Sequence, residues 1–179
     1  QLDWTAQMRR AGWHLLHMIN DTLDLARIES GHIELEPRTL DLAELVDAAC
    51  ALVQQAADKQ RIRIETHLGL GARAVIGDAT RVKQILTNLL SNAVKYNVEG
   101  GNVIVASRMA DEGRVALDVI DTGAGMSAQL LAQLFQPFNR LGQESGPVEG
   151  TGIGLVISLR LAELMGGTLH ARSSVGMGS

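Results

Sequence analysis

The chain has 179 residues, of which 46% are hydrophobic and 20% charged, and its formal net charge is −4. This size allows one well-packed domain with a helical extension, and the weak charge gives no electrostatic reason to expect nucleic acid or anionic lipid as a partner. The single cysteine, Cys50, excludes a disulfide framework and favours a reducing compartment, so we expect a cytoplasmic protein. We also expect no membrane contact, because no apolar run reaches ~18 residues and the first residues lack a signal-peptide pattern.

The first predicted element is one long helix from Gln1 to about Ser30. Gly31 suits the position that follows a helix C-terminus. The apolar stripe of this helix is wider than an isolated helix can bury, so we expect it to pack on other helices. The stripe consists of Met8, Ala11, Leu15, Leu16, Ile19, Leu23, Leu25 and Ala26. We therefore divide the chain into a helical segment, residues 1–31, and a second domain, residues 32–179.

The second domain begins with alternating strand and helix signals. A short extended piece, residues 32–40, precedes D41-L-A-E44, which has the capping-box form and predicts a second helix. The run R61-I-R-I-E-T-H-L alternates with period two and predicts a half-buried strand. Asp78 can cap a third helix that extends to about Tyr96.

The remaining elements complete a two-layer α+β fold with a mixed sheet covered by helices on one face. Residues 103–106 and 114–121 predict two antiparallel strands joined by a short loop. Helices are expected at about 127–135 and 152–165, and a strand at 168–172. Residues 139–151 show no periodicity and predict a long loop of the kind that acts as a mobile lid. The mixture of elements lacks strict βαβ alternation, which favours this fold class.

The third helix carries an unusual polar face. Gln84, Asn88, Asn92 and Lys95 recur at spacings of four, four and three, so they share one side of the helix. Asparagine is a poor helix former, and its amide is costly to bury without a partner. Taken alone, this pattern could be an amide pair that ties the helix to neighbouring backbone.

Two glycine-rich motifs accompany this face. D121-T-G-A-G125 ends a strand, and its glycines would allow a flat ligand to approach the backbone beside the acid. G150-T-G-I-G154-L opens a helix, where free N–H groups and the helix dipole attract phosphate. A strand-ending turn and a flexible hinge are the structural alternatives for these two motifs.

A dinucleotide-binding fold is a formal rival. G123-A-G-M-S-A128 follows a strand and matches the G-x-G-x-x-[G/A] fingerprint. However, the acid expected roughly 20 residues later falls at Glu144, inside the predicted loop, and this fold leaves the asparagines unexplained. A Walker phosphate-binding loop is absent from the sequence.

The ordered motifs N88-L-L-S-N92-A-V-K-Y, D121-T-G-A-G, F135-Q-P-F138 and G150-T-G-I-G-L resemble the four boxes of the catalytic and ATP-binding domain of sensor histidine kinases. Residues 12–31 resemble the second helix of the dimerisation and phosphotransfer hairpin that precedes this domain. The likeness covers nearly the whole chain. It identifies residues 1–31 as part of that hairpin and residues 32–179 as the catalytic domain without its last strand.

The resemblance implies a role for each motif residue in binding ATP and Mg²⁺. Asn92 would be the Mg²⁺ ligand, supported by Asn88, and Lys95 would neutralise phosphate charge. Asp121 would accept the adenine amino hydrogen. The other implied binding residues are Tyr96, Gly123, Gly125 and Met126 around the base, and Arg140, Gly150, Thr151, Gly152, Gly154 and Leu155 at the lid and phosphates. Phe135 and Phe138 would anchor the lid through apolar packing.

The residue at position 88 separates two activities within the wider superfamily. Members that hydrolyse ATP resemble this pattern but carry a glutamate where this chain has Asn88, and that carboxylate activates water. An amide cannot accept a proton, so the resemblance implies a kinase with slow hydrolysis. An ATPase of the same superfamily, or a non-catalytic nucleotide-binding or dimerisation module, remains the alternative.

The phosphoacceptor histidine is expected outside this chain. The family's acceptor is followed by an acid and then a proline, whereas His14 is followed by L15-L-H-M, and His17, His32, His67 and His170 have no such motif. The resemblance therefore implies a fragment that cannot phosphorylate itself. Its implied partners are ATP, the acceptor histidine of the missing helix, a response regulator receiver domain and, in the full-length protein, a second copy.

Overall fold

The computed structural model describes residues 2–139 and 150–179 and confirms an α+β fold with a mixed sheet and one long N-terminal helix. The elements, in chain order, are α1 (Leu2–Glu29), β1 (Arg38–Asp41), α2 (Leu42–Lys59), β2 (Arg63–Leu68), β3 (Ala74–Gly77), α3 (Ala79–Lys95), β4 (Asn102–Met109), β5 (Val115–Asp121), α4 (Ala128–Leu131) and α5 (Gly154–Leu164). A short 3₁₀ turn, Asp111–Gly113, joins β4 to β5.

The strands form two sheets. In the larger sheet, β4 lies between β2, to which it is parallel, and β5, to which it is antiparallel. The expected antiparallel pair is therefore confirmed, and its register places Val103 opposite Asp121. The smaller sheet pairs β1 with β3 in antiparallel orientation, and β3 was not predicted from the sequence. This mixed order also differs from the parallel sheet that a dinucleotide-binding fold requires.

The main core lies between the larger sheet and helices α2 and α3. The amphipathic pattern of α2 buries Val46 and Ala49 completely, and α3 buries Leu86 and Leu90 in the same cluster. The Asp41 side chain caps α2 by accepting a hydrogen bond from the Ala43 N–H, and Asp78 caps α3 by accepting one from the Arg81 N–H. These two caps determine where the helices that cover the sheet begin.

A second core joins α1 to α5. Leu25 and Ile28 of α1 are buried against Ile153, Val156, Ile157 and Leu161, with Ile85 of α3 packed at its edge. The earlier part of α1 keeps large apolar side chains exposed, including Trp4 and Met8. Within the described ranges, no helix is long and apolar enough to cross a membrane.

Two predicted elements differ from the structure. The helix expected at 127–135 ends at Leu131, and the chain continues to Gln136 through hydrogen bonds between residues three apart, as at Gln133 to Leu130. Residues 168–172 form no strand, because the described chain provides no neighbour for their backbone groups. Instead, the N–H at the end of β5, on Asp121, donates to the Ser179 carbonyl.

Candidate functional site

The polar face of α3 points toward two other helices. The Gln84 amide donates to the Asp24 carboxylate of α1 at 3.1 Å, and the Asn88 amide donates to the Ser158 hydroxyl of α5 at 2.8 Å. Asn92, one turn further along, is half-buried, and its amide has no hydrogen-bonding partner in residues 2–139 and 150–179. The three amides that share a helix face therefore differ in what they bind.

The same face contacts the second glycine motif. A Cβ atom added to Gly154 would lie 2.5 Å from the Asn88 Oδ1 atom, and one added to Gly150 would lie 2.7 Å from the Lys95 Nζ atom. Both distances are shorter than real Cβ contacts, so glycine is required for this approach unless the lysine moves. The residues from 150 to 154 thus lie along the second half of α3.

The first glycine motif meets the C-terminal end of α3. A Cβ atom on Gly123 would overlap the Tyr96 carbonyl and lie 2.8 Å from the Asp121 Oδ1 atom. The Gly123 N–H donates to that carboxylate oxygen at 2.7 Å. The Lys95 ammonium lies 5.1 Å from the centroid of the Tyr96 ring, within the range of a cation–π contact. The two glycine motifs, 25 or more positions apart in the sequence, are therefore brought to the same half of one helix.

Asp121 is a partly buried acid at the end of β5. The carboxyl is half-buried, which raises its pKa from the ordinary value of 3.8, and backbone hydrogen bonds from Gly123 and Ser179 oppose this shift. The backbone groups hold the side chain in place at the end of β5. A partly desolvated carboxylate in a fixed position is well suited to accept a hydrogen bond from a ligand.

Residues 173–179 form part of this site, which the sequence did not predict. A Cβ atom on Gly125, at φ +64°, would overlap the Ser174 carbonyl, and one on Gly178 would overlap the Asp121 carbonyl. The Met126 N–H donates to the Ser173 hydroxyl at 2.8 Å, and that hydroxyl donates to the Gly178 carbonyl at 2.7 Å. The segment therefore supports the backbone of the first glycine motif.

Helix α1 also reaches the site. The Thr151 hydroxyl donates to the Asp21 carboxylate at 2.7 Å and accepts from the Ile153 N–H at 3.3 Å. Sequence analysis did not single out Asp21, Asp24 or Ser158, since their partners lie 60 to 130 residues away in the chain. For Ser158, the available signal was a polar residue on the otherwise apolar face that carries Ile157 and Leu161.

Phe138 and Gly152, which lie on either side of the residues that the structure does not describe, make backbone contacts with each other. The Phe138 N–H donates to the Gly152 carbonyl at 3.2 Å, and a Cβ atom on Gly152 would lie 2.9 Å from the Phe138 carbonyl carbon. Phe135 is half-buried, but the Phe138 side chain is 59% exposed and contributes little apolar packing. Leu155 is half-buried in the first turn of α5. Arg140 and Glu144 lie outside the described residues.

The donor set near Asn92 suits a hard cation that is also bound by phosphate. The described part of the chain contains no group of three or more His, Cys, Asp or Glu side chains that could hold a metal ion. A half-buried amide oxygen beside a lysine could contribute one ligand to Mg²⁺, while phosphate oxygens and water would supply the others. The residues present therefore fit a metal ion that arrives together with a nucleotide.

Comparison with known proteins places this site in a family. A family model described as "Histidine kinase-, DNA gyrase B-, and HSP90-like ATPase" matches residues 77–179, more than half of the chain. The chain belongs to this family. Residues 77–179 contain α3, both glycine motifs and α5, so the family match covers the whole of the site except for its contacts with α1.

The similar proteins include a sensor protein and a protein named as a histidine kinase. The chain is 41% identical over 170 residues to the virulence sensor protein BvgS of Bordetella bronchiseptica, covering 92% of the chain and 14% of the relative. It is 34% identical over 177 residues to the histidine protein kinase DivJ of Caulobacter vibrioides, covering 99% of the chain and 30% of the relative. The crystal structure of full-length ShkA in complex with AMPPNP matches with a TM-score of 0.86 and 32% identity, covering 99% of the chain and 37% of ShkA. The chain therefore spans less than a third of the length of the two sequence relatives.

Proposed function

We propose that this chain is the ATP-binding module of a two-component sensor histidine kinase and transfers the γ-phosphoryl group of ATP to a histidine outside the chain. The observation that carries this proposal is the convergence of α3 with both glycine motifs, through Asn88 with Gly154 and Tyr96 with Gly123. The similarity to ShkA, which was solved with the ATP analogue AMPPNP, supports ATP as the ligand.

The two ends of the site would bind the two ends of ATP. Asp121, half-buried and held by the Gly123 N–H, would accept the hydrogen bond of the adenine amino group. Gly125, Met126 and Tyr96 would surround the ring. At the other end, Lys95 lies beside Gly150 and would neutralise phosphate charge, while the N–H groups at the start of α5 would bind phosphate oxygens. Arg140, Thr151, Gly152 and Leu155 complete the proposed set.

Phosphoryl transfer in this site would depend on positioning and charge. Mg²⁺, when bound with ATP, would neutralise the charge that develops on the transferred group. Asn92 would hold the ion through its amide oxygen, and Asn88 would support it from the preceding turn. The chain's own residues would orient the triphosphate so that the incoming imidazole nitrogen attacks in line with the leaving oxygen. The base and the acceptor would both come from another segment.

The partners follow from this chemistry. The acceptor would be a histidine on the first helix of a hairpin whose second helix is α1, and a second copy would complete the helical bundle in the full-length protein. The phosphorylated histidine would then pass its phosphoryl group to a response regulator receiver domain. The proposed location of the chain is the cytoplasm, where ATP and Mg²⁺ are available.

Nucleotide binding to the intact chain tests the proposal. We expect a fluorescent ATP analogue to bind with Mg²⁺, and Asn92→Ala and Asp121→Asn to weaken binding at least tenfold. Equal affinity of the wild type and the two variants would contradict the assignment of these residues to the nucleotide site. The chain alone should acquire no stable phosphate label, whereas an added acceptor hairpin should become labelled at its histidine.

An ATPase is the second candidate function, and the rate of ATP hydrolysis distinguishes it from the kinase. Asn88 provides an amide where hydrolytic members of the superfamily carry a glutamate base, so steady phosphate release should be slow. Rapid release by the purified chain would favour the ATPase. Binding without transfer to the added hairpin would favour a non-catalytic module.

A further inference from the structure

Ser158 is a buried polar residue that none of the four motifs includes. Only 1% of its surface is exposed, although it lies on α5 among the apolar residues Ile157 and Leu161. A hydroxyl in such surroundings is costly unless it is hydrogen-bonded. Its partner is the Asn88 side chain, whose Nδ2 atom donates to Ser158 Oγ at 2.8 Å.

The Asn88 amide lies against two residues of α5 that are one turn apart. A Cβ atom on Gly154 would be 2.5 Å from Asn88 Oδ1 and 3.0 Å from both Cγ and Nδ2, so the amide packs closely over the Gly154 backbone. Residues four apart share a helix face, and Ser158 therefore continues the same surface. Gly154 provides space for the amide, and Ser158 binds its nitrogen end.

We infer that Ser158 is a positioning residue that, together with Gly154, orients the Asn88 amide toward the nucleotide. An amide group has one donor end and one acceptor end. Once Ser158 binds the nitrogen, Oδ1 is held on the opposite side, where it faces the glycine segment that we propose binds phosphate. This inference rests on the proposed function, and it assigns to Gly154 a packing role in addition to any contact with phosphate.

The arrangement also explains why Asn88 and Asn92 play different parts. Asn88 donates to a buried hydroxyl, whereas the Asn92 amide makes no hydrogen bond with the described residues. An amide held by the protein keeps its orientation before the ligand arrives, which lowers the cost of ordering the site on binding. Asn88 would therefore supply a preset oxygen, and Asn92 an adaptable one.

A double-mutant cycle tests this inference. The affinity of a fluorescent ATP analogue is measured with and without Mg²⁺ for the wild type, Ser158→Ala, Asn88→Ala and the double variant. We expect Ser158→Ala to weaken Mg²⁺-dependent binding roughly 3- to 10-fold, which is the range for loss of one hydrogen bond. In the Asn88→Ala background, Ser158→Ala should change affinity less than about twofold, because its partner is already gone.

Ser107 provides a matched control. It is also a buried serine, 6% exposed, and its hydroxyl donates to the Ala72 carbonyl and accepts from the Gly69 N–H, away from the site. Ser107→Ala should reduce stability and leave nucleotide affinity unchanged. If Ser158→Ala also leaves affinity unchanged, or if the effects of Ser158→Ala and Asn88→Ala multiply in the double variant, the inference is wrong.

A second measurement separates this inference from the proposed function. In an amide NMR spectrum without nucleotide, the Asn88 side-chain protons should exchange slowly with solvent in the wild type and rapidly in Ser158→Ala. Rapid exchange in the wild type would overturn the inference, whether or not ATP binds. Failure of the wild type to bind the analogue, with protected Asn88 protons, would instead overturn the proposed function alone.

Discussion

The Thr151 hydroxyl donates a 2.7 Å hydrogen bond to the Asp21 carboxylate, which joins the second glycine motif to helix α1. The two residues are 130 positions apart in the chain, and both are partly buried. Leu25 lies one helical turn after Asp21 and, with Ile28, packs against α5 in an apolar cluster. This part of α1 is therefore joined to residues 150–154 by a hydrogen bond and to α5 by apolar packing.

Removing the Asp21 carboxylate should weaken this junction. Asp21→Ala is expected to lower the free energy of unfolding by about 1–2 kcal/mol, because the Thr151 hydroxyl loses a charged acceptor. Asp21→Asn should cost less, since its amide oxygen can still accept. Chemical denaturation gives the free energy of unfolding of Asp21→Ala, Asp21→Asn and Thr151→Val. The Asp21→Ala/Thr151→Val double variant then gives the interaction energy between the two side chains. Additive effects would mean that the two side chains do not interact in solution.

Asp121→Asn should weaken nucleotide binding without lowering the stability of the folded protein. Burial raises the pKa of Asp121, so the ionised form destabilises the folded state at neutral pH, and the neutral amide should be at least as stable as the wild type. The same change should weaken nucleotide binding, because an amide in place of the carboxylate loses a charge-assisted hydrogen bond. Thermal denaturation and nucleotide titration of the variant at pH 7 measure the two effects.

The stability difference between the wild type and Asp121→Asn should depend on pH. A carboxyl whose pKa is raised on folding contributes its full stability below its ordinary value of 3.8 and loses it as the pH rises through the folded pKa. The advantage of the asparagine variant should thus shrink as the pH falls toward 3.8. An advantage that grows on acidification would contradict the assigned shift.

Local sequence patterns were sufficient for much of the fold but not for all of it. Asp41 and Asp78 marked the starts of α2 and α3 correctly, since capping depends on neighbouring residues. The strand β3, only four residues long, had no periodic signal and exists because β1 pairs with it. The strand expected at 168–172 had the right residues but no pairing partner in the described chain.

The site shows the same division between local and long-range information. Motif spacing placed Asn88, Asn92 and Lys95 on one helix face, and the structure brings that face to Gly150 and Gly154. The contacts made by Asp21, Asp24 and Ser158 depend on helices that meet only in the folded chain. Sequence patterns contain no information about which buried hydroxyl or acid a given amide will meet.

Replacing a large side chain in the α1–α5 core with alanine should lower the stability of the folded protein. Leu161 is completely buried in this core, and Leu161→Ala should lower the free energy of unfolding by about 2–5 kcal/mol through lost burial and a cavity. Leu164, on the same helix, is 44% exposed, and Leu164→Ala is a matched control that should cost far less. Chemical denaturation distinguishes the two. Equal losses would mean that α5 does not pack on α1 through Leu161.

The glycines of the site should differ in their tolerance of alanine. A methyl group at Gly123 would overlap the Tyr96 backbone carbonyl, which cannot move without shifting the end of α3, and overpacking of this kind costs roughly 1–3 kcal/mol. Among the described residues, a methyl group at Gly150 would meet only the Lys95 Nζ atom, the end of a flexible side chain. Gly150→Ala should therefore preserve stability while weakening nucleotide binding through displacement of the lysine.

Gly12 serves as the control for these two substitutions. It lies in α1, where an added Cβ would have no described atom within 4 Å apart from the neighbouring backbone of the helix, and alanine favours a helix over glycine by about 1 kcal/mol. Gly12→Ala should raise helicity and leave nucleotide affinity unchanged. Thermal denaturation and nucleotide titration of the three variants give the comparison. A Gly123→Ala protein as stable as Gly150→Ala would show that the first glycine motif does not lie against Tyr96 as the structure describes.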